Sequence, residues 1–205
     1  MLIVLLVHGL GRTPASLFGL AAALRRAGHT TRFFAYSPTF ESLTHIVDRL
    51  SARINALDSG RPLGLVGHSL GGLLLRMALR DAPLVRVRCL VMLGTPNRPP
   101  RLARWARRRF AFRWFAGTCG ALLTDGVALS ELPEPSVPYA LIAGTAGPRG
   151  RRSPFGPDAN DGVVAVGEVP ICNLDTPAQF PVWHTRMMDD AEVRRAVLAA
   201  LAPRD

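Results

Sequence analysis

Residues Pro62 to Arg80 read PLGLVGHSLGGLLLRMALR, and this stretch decides the fold. Leu63, Leu65 and Val66 form an apolar run with the length of a buried strand, about five residues. Leu70, Leu73, Leu74, Met77 and Ala78 then recur at i, i+3, i+4, i+7 and i+8, one face of a helix. Between the two stands Gly67-His68-Ser69-Leu70-Gly71, a G-x-S-x-G pattern. Its mechanical meaning is a sharp strand-to-helix turn that lifts the Ser69 hydroxyl clear of a sheet. Gly67 and Gly71 fall where a Cβ would collide with the neighbouring chain, and Gly72 leaves room for close helix packing. The helix N-terminus beneath Ser69 favours negative charge that develops there, as it does in acyl transfer. A Gly-rich structural turn is the simpler reading of the five residues alone. The strand before them and the helix after them favour a nucleophile.

The flanking chain repeats the same alternation. Met1–Val7, MLIVLLV, reads as a fully buried strand: no basic residue precedes it, no small-residue cleavage site follows, and seven residues cannot span a bilayer. Thr13 is placed to cap a helix starting at Pro14, with Leu17, Leu20, Ala21 and Leu24 inward and Gly28 at its end. TTRFFAY, Thr30–Tyr36, is a strand. Leu43, Ile46, Val47, Leu50, Ile54 and Leu57 mark a second helix, closed by Gly60, and VRCLVML, Val87–Leu93, is a fourth strand. Strict strand–helix alternation with non-alternating apolar strands predicts an α/β fold, a mostly parallel sheet with helices on both faces. Ligands of such sheets bind beyond the carboxyl ends of the strands, where Gly9, Ser69 and Thr95 all fall.

Beyond Asn97 the pattern breaks. Residues 97–132 show no clear strand and offer a candidate lid or cap. Pro138–Gly144 is again a strand. Ala146–Gly162 is a long Gly/Pro/Arg-rich loop, of the kind that is often functional. Val163–Val169 suggests a short extended piece. Asp189 or Asp190 opens a last helix with Val193, Val197, Leu198 and Leu201 inward. The expectation is one domain over residues 1–205, with neither a repeat nor a second domain.

A serine needs a base within hydrogen-bond reach and a carboxylate to orient that base. Of the five histidines, His68 adjoins the serine and is expected to pack elsewhere, His8 shapes the first glycine loop, His29 sits at a helix exit and His45 lies inside a helix. His184, in a late loop before the last helix, is the candidate base. The acid belongs between Ser69 and His184 in the chain order of this architecture. Asp125, Asp158, Asp161 and Asp175 are available, with Glu131, Glu134 and Glu168 ranked below them. Asp161 stands in a tight turn, Asn160-Asp161-Gly162, that enters an apolar pair, and Asp158 is in the same loop. The residues alone leave this choice open. Backbone N–H groups of Leu10 and Leu70 are the candidate oxyanion donors.

VHGLG after the first strand, GHSLGG at the turn, LGTPN after the next strand, NDGVV and the late His184-Thr185 together resemble the α/β-hydrolase fold. Within it they look most like bacterial lipases and esterases and glycosylphosphatidylinositol-inositol-deacylase-like proteins. The resemblance runs from Leu2 to about Ala200. It implies a compact version of that fold, Asp161 as the acid, His184 as the base, ester cleavage through an acyl-serine, and no cofactor or metal. An acyltransferase using the same acyl-serine, or a non-catalytic lipid- or protein-binding module, are the alternatives. The chain is short for a secreted lipase, and neither a signal peptide nor a disulfide is expected, which argues against long-chain triglycerides.

Net charge is +10 and every one of the 25 basic residues is Arg, a composition bias that weakens inference from charge alone. The Arg-rich segment Arg98–Phe115 nevertheless reads as an amphipathic helix, with Leu102, Trp105, Ala106 and Phe110 on one side and Arg101, Arg104, Arg107 and Arg108 on the other. Such a helix suits peripheral contact with anionic membrane, or a solvated surface over the site. Nucleic-acid binding is not expected, since no recognition module or stacking platform is present. The three cysteines lack metal-ligand spacing and suit a reducing compartment. With no other long apolar stretch, the expected location is cytoplasmic.

Overall fold

The computed structural model describes residues 1–57, 60–80, 86–102 and 110–203, and over 110–116 it describes the backbone. Six strands form one sheet: β1 (Ile3–Val7), β2 (Thr30–Phe34), β3 (Leu63–His68), β4 (Val87–Leu93), β5 (Tyr139–Gly144) and β6 (Ala178–Phe180). Their order is β2-β1-β3-β4-β5-β6, and every adjacent pair is parallel. The helices are α1 (Phe18–Arg26), α2 (Leu43–Ala56), α3 (Leu70–Ala78), α4 (Phe110–Thr124), α5 (Gly126–Ser130) and α6 (Ala191–Leu201).

The apolar runs in the central strands serve two cores. Side chains alternate across a strand, so Leu5, Leu65, Leu90 and Met92 enter one cluster while Val4, Leu6, Val66 and Val91 enter the other. Ile46, Leu50 and Ile54 of α2 and Leu73 and Leu74 of α3 complete the first. Leu20, Ala21 and Leu24 of α1 and Val193, Val197 and Leu201 of α6 complete the second. Burial on both faces is why these strands show no polar alternation in sequence.

Several local expectations differ from the structure. The first helix begins as a 3₁₀ turn over Pro14–Leu17, and the Thr13 side chain caps nothing; Ser16 Oγ instead donates to the Thr13 carbonyl at 2.8 Å. Strand β2 stops at Phe34, because Tyr36 turns back to stack on His8, 4.3 Å between rings, and donates its hydroxyl to the His8 carbonyl at 2.9 Å. Val163–Val169 is extended only at Ala165, which forms an isolated antiparallel bridge with Asn160; a 3₁₀ segment over Val166–Glu168 follows, where the Glu168 carboxylate reaches back to the Ala165 N–H at 3.0 Å. Ala178–Phe180 pairs with β5 as a sixth strand, too short to show a period.

Helix α4 is interrupted at Gly117, where the backbone takes φ 51° and ψ −143°. Much of the Arg98–Phe115 amphipathic reading, including Arg104, Trp105, Arg107, Arg108 and Arg109, lies outside the described residues. Its first two arginines are already engaged. Arg98 donates to the Cys172 carbonyl and the Asn173 side chain, and Arg101 pairs with Asp158 at 2.6 Å. Among the described residues, no helix is long and apolar enough to cross a membrane.

Candidate active site

The strand order reverses between β1 and β3. From β1 the chain winds outward to β2, then returns to β3 and proceeds the other way through β6. Helices α1 and α3 therefore leave neighbouring strand ends towards opposite faces, opening a crevice beyond the carboxyl ends of β1 and β3. The loop after Val7 lies beside the turn after His68: a Cβ on Gly9 would come within 3.0 Å of Ser69 Cβ.

Ser69 occupies that crevice with φ 54° and ψ −123°, the one non-glycine residue at positive φ among those described. Such a backbone costs on the order of 1–3 kcal/mol and persists where its surroundings over-determine it. Here they do. The Ser69 N–H donates to the Leu93 carbonyl at 2.8 Å, and its own carbonyl accepts from the Gly72 N–H at 3.0 Å and Thr95 Oγ1 at 3.1 Å. Gly67 and Gly71 make the turn sterically possible: a Cβ on Gly67 would lie 2.6 Å from Gly71 and Gly72 backbone, and one on Gly71 would strike the Val7 and His8 carbonyls.

His184 and Asp161 meet at the same rim. The ring Nδ1 lies 2.7 Å from Asp161 Oδ2, with the two residues 6% and 1% exposed. Asp161 Oδ1 accepts from the Val163 and Val164 N–H groups at 2.9 and 2.7 Å, which leaves Oδ2 to the imidazole. A backbone bond from the His184 N–H to the Asp161 carbonyl, 2.9 Å, ties the two segments a second time. The turn itself is held by buried Asn160, whose amide donates to the Pro148 and Asp158 carbonyls and accepts from the Gly162 N–H. Glycines that end the central strands make room beneath the pair. A Cβ on Gly94 would sit 3.0 Å from His184 Nδ1, and one on Gly144 would sit 2.7 Å from Asp161 Cβ.

The other carboxylates are elsewhere. Asp158 is exposed and paired with Arg101, Asp125 caps α5, and Asp175 accepts from the Ile171 and Cys172 N–H groups and the Tyr139 hydroxyl. Glu134 also accepts from Tyr139, Glu168 accepts from the Ala165 and Arg101 N–H groups, and Glu131 is exposed. Of the remaining histidines, His45 is exposed on α2 and His29 accepts from the Leu2 N–H. His8 is buried behind the glycine loop, its pKa lowered by burial.

His68 lies closer to the site than its position in sequence suggests. Its ring is 4.7 Å from that of His184, and its Nε2 lies 3.0 Å from the His184 carbonyl. Burial above all, then the neighbouring His184 charge, hold its pKa well below the ordinary histidine value. His68, Ser69 and His184 line one cavity of about 250 Å³, otherwise walled mainly by Leu10, Pro96, Pro100, Leu123, Val163 and Val164. Among the described residues no hydrogen bond joins the Ser69 hydroxyl to the His184 ring, and the Leu10 and Leu70 N–H groups are likewise unpaired. Arg12 also lines this cavity, a contact that no sequence spacing announced. Among the described residues, no group of three His, Cys, Asp or Glu side chains is arranged to hold a metal ion.

A family model described as "Alpha/beta hydrolase family" matches residues 4–204. No curated protein sequence matches the chain. Among solved structures, the metagenomic carboxyl esterase MGS0156 is 18% identical with a TM-score of 0.68, over 98% of this chain and 74% of that one. Phospholipase PlaB from Legionella pneumophila is 18% identical with a TM-score of 0.63, over 83% of this chain but 46% of that one, so this chain spans under half of its length. An extracellular alpha/beta-hydrolase from a Paenibacillus species is 15% identical with a TM-score of 0.59, each chain covered in full.

Proposed function

The chain belongs to the alpha/beta hydrolase family, and from that premise we propose that it is a serine hydrolase of carboxylic esters, working through an acyl-serine intermediate. One observation carries the reading: a buried carboxylate–imidazole pair at 2.7 Å lines the same cavity as a serine held at positive φ on a strand-to-helix turn.

Asp161 keeps Oδ2 for His184 Nδ1–H, so Nε2 of His184 carries the lone pair. Nε2 takes the Ser69 proton as Oγ attacks the ester carbonyl, and later returns it to the leaving alcohol. The Leu10 and Leu70 N–H groups, without other partners among the described residues, donate to the oxyanion, with the N-terminus of α3 adding its dipole. Water, deprotonated by the same nitrogen, then releases the acid. Catalytic hydrogen bonds are often long without substrate and tighten once it binds, which accounts for the open Ser69–His184 contact. A carboxyl esterase and a phospholipase among the structural neighbours support this reaction class. An engineered 150 Å³ apolar cavity takes benzene; by proportion, the cavity of about 250 Å³ takes roughly ten non-hydrogen atoms, which favours short acyl groups.

The test is turnover of p-nitrophenyl butyrate together with labelling by a fluorophosphonate. Wild type is expected to be active and labelled on Ser69, and Ser69→Ala to be neither. Equal rates for the two proteins would end the proposal.

A further inference from the structure

Arg12 is the one permanently charged side chain among the described residues that line the cavity, and it has no carboxylate partner there. Among the described residues its guanidinium makes one hydrogen bond, a long one, 3.4 Å from Nη2 to the Thr185 carbonyl. Its other N–H groups have no partner among the described residues, on a half-buried side chain two residues beyond Leu10 and in contact with the residue that follows His184. The remaining wall is mainly Leu, Pro and Val. Buried Arg76, by comparison, has three acceptors, the Asn97 side chain and two carbonyls. A partly desolvated guanidinium without a counter-charge costs free energy that a bound anion would offset.

Position fixes which part of the substrate this concerns. His184 returns its proton to the leaving oxygen, so the alcohol half of an ester departs on the imidazole side. Arg12 is attached to that side through Thr185. Its charge is felt within the site: after burial and the His184 charge, Arg12 is among the causes that depress the His68 pKa. We propose that the preferred substrate is an ester of a short apolar acid whose alcohol half carries an oxyanion, phosphate or carboxylate, held by the Arg12 guanidinium. This rests on the esterase reading. The reaction is ordinary hydrolysis: the acyl C–O bond breaks, water adds to the acyl carbon, and the anionic alcohol leaves with the proton from His184. The planar guanidinium fork matches either oxyanion in bidentate fashion.

The experiment compares matched esters with the full-length chain. The pairs are 1-butyrylglycerol 3-phosphate with 1-butyrylglycerol, and butyryloxyacetate with butyryloxyacetamide. In wild type at low salt the anionic member of at least one pair is expected to have a kcat/KM about tenfold or more above its neutral partner, the size of a charge-assisted contact. Half-molar salt should shrink that ratio. Arg12→Gln should bring it to about one, and Arg12→Glu should invert it. A 1-palmitoylglycerol 3-phosphate arm, dispersed in phosphatidylcholine vesicles, separates a lipid head group from a soluble phosphate ester; the small cavity predicts the soluble ester is preferred.

A wild-type ratio at or below one for both pairs overturns the proposal, as does an unchanged ratio in Arg12→Gln. If a variant fails to fold, the wild-type ratio and its salt dependence still decide. If wild type cleaves neither member of either pair and takes no fluorophosphonate label, the esterase reading fails on its own account. Binding of glycerol 3-phosphate over glycerol, followed by calorimetry, then decides the anion site, and equal or absent binding sinks it.

Discussion

The imidazole of His68 supports the backbone of His184: Nε2 lies 3.0 Å from the carbonyl oxygen, both residues buried, across 116 positions of sequence. A carbonyl can only accept, so Nε2 carries the hydrogen and Nδ1, buried without a partner among the described residues, holds the lone pair. His68→Leu should leave that carbonyl unpaired and loosen the proposed base. The expected result is a fall in kcat of about tenfold with KM little changed, from a contact worth about 1–3 kcal/mol. His68→Gln, which keeps an N–H donor, should recover part of the loss. Steady-state kinetics of the three proteins checks this.

Stability should decline in mild acid. The pKa values of both His68 and His8 are lowered, chiefly by burial, so the unfolded chain binds protons near pH 6.5 that the folded chain refuses. Stability from this source is complete above the unfolded value and is lost as pH falls below it. The limiting slope is about 1.4 kcal/mol per pH unit for each histidine. Urea midpoints between pH 7.5 and 5 should fall, and fall less steeply in His68→Leu.

Asp161→Asn tests the orientation of His184. An Asn side chain can still accept from Val163 and Val164, but its amide faces Nδ1 as a donor and forces the ring hydrogen onto Nε2. Turnover should fall about 10⁴-fold, the size known where an orienting aspartate is so replaced. Circular dichroism should show an unchanged fold.

Two glycines at positive φ separate strain from site geometry. Gly94, φ 56°, lies under the Asp161–His184 pair, whereas Gly28, φ 84°, has nothing within 4 Å of a would-be Cβ. Alanine at either position should cost about 1–2 kcal/mol of stability through the backbone. Only Gly94→Ala should also lower kcat, by about tenfold or more, since its methyl presses on His184 Nδ1. Melting curves and ester turnover distinguish the two.

Asn97→Ala should destabilise without touching the chemistry. Asn97 accepts from buried Arg76 at 2.9 Å and donates to the Val169 carbonyl at 2.7 Å. Burial brings the Arg76 pKa down to about 10, so its charge leans on these acceptors. Removing one leaves a buried cation under-satisfied, at a cost of about 2–4 kcal/mol in urea unfolding.

Sequence revealed the parts of this molecule that depend on local spacing. The turn around Ser69 was readable because strand, glycines and helix are contiguous, and the parallel sheet because its strands are buried on both faces. His184 could be singled out by chain order. Asp161 and Asp158 could not be separated by residue type or spacing, because what distinguishes them is burial and two amide donors that the folded loop supplies. Strand β6 was invisible at three residues, since its pairing comes from β5 and not from a period of its own. The approach of His68 and Arg12 to the His184 segment is wholly tertiary and leaves no mark in the local pattern.

The rim that gathers these groups is assembled from ends of strands widely spaced along the chain. Ser69 follows the third strand, while His184 arrives only after the sixth. During synthesis the hydroxyl emerges from the ribosome well ahead of the imidazole that would activate it. On the proposed serine hydrolase reading, a nascent chain is expected to stay chemically silent until its final strand docks, and acylation by a suicide reagent would then serve as a clock for that last step.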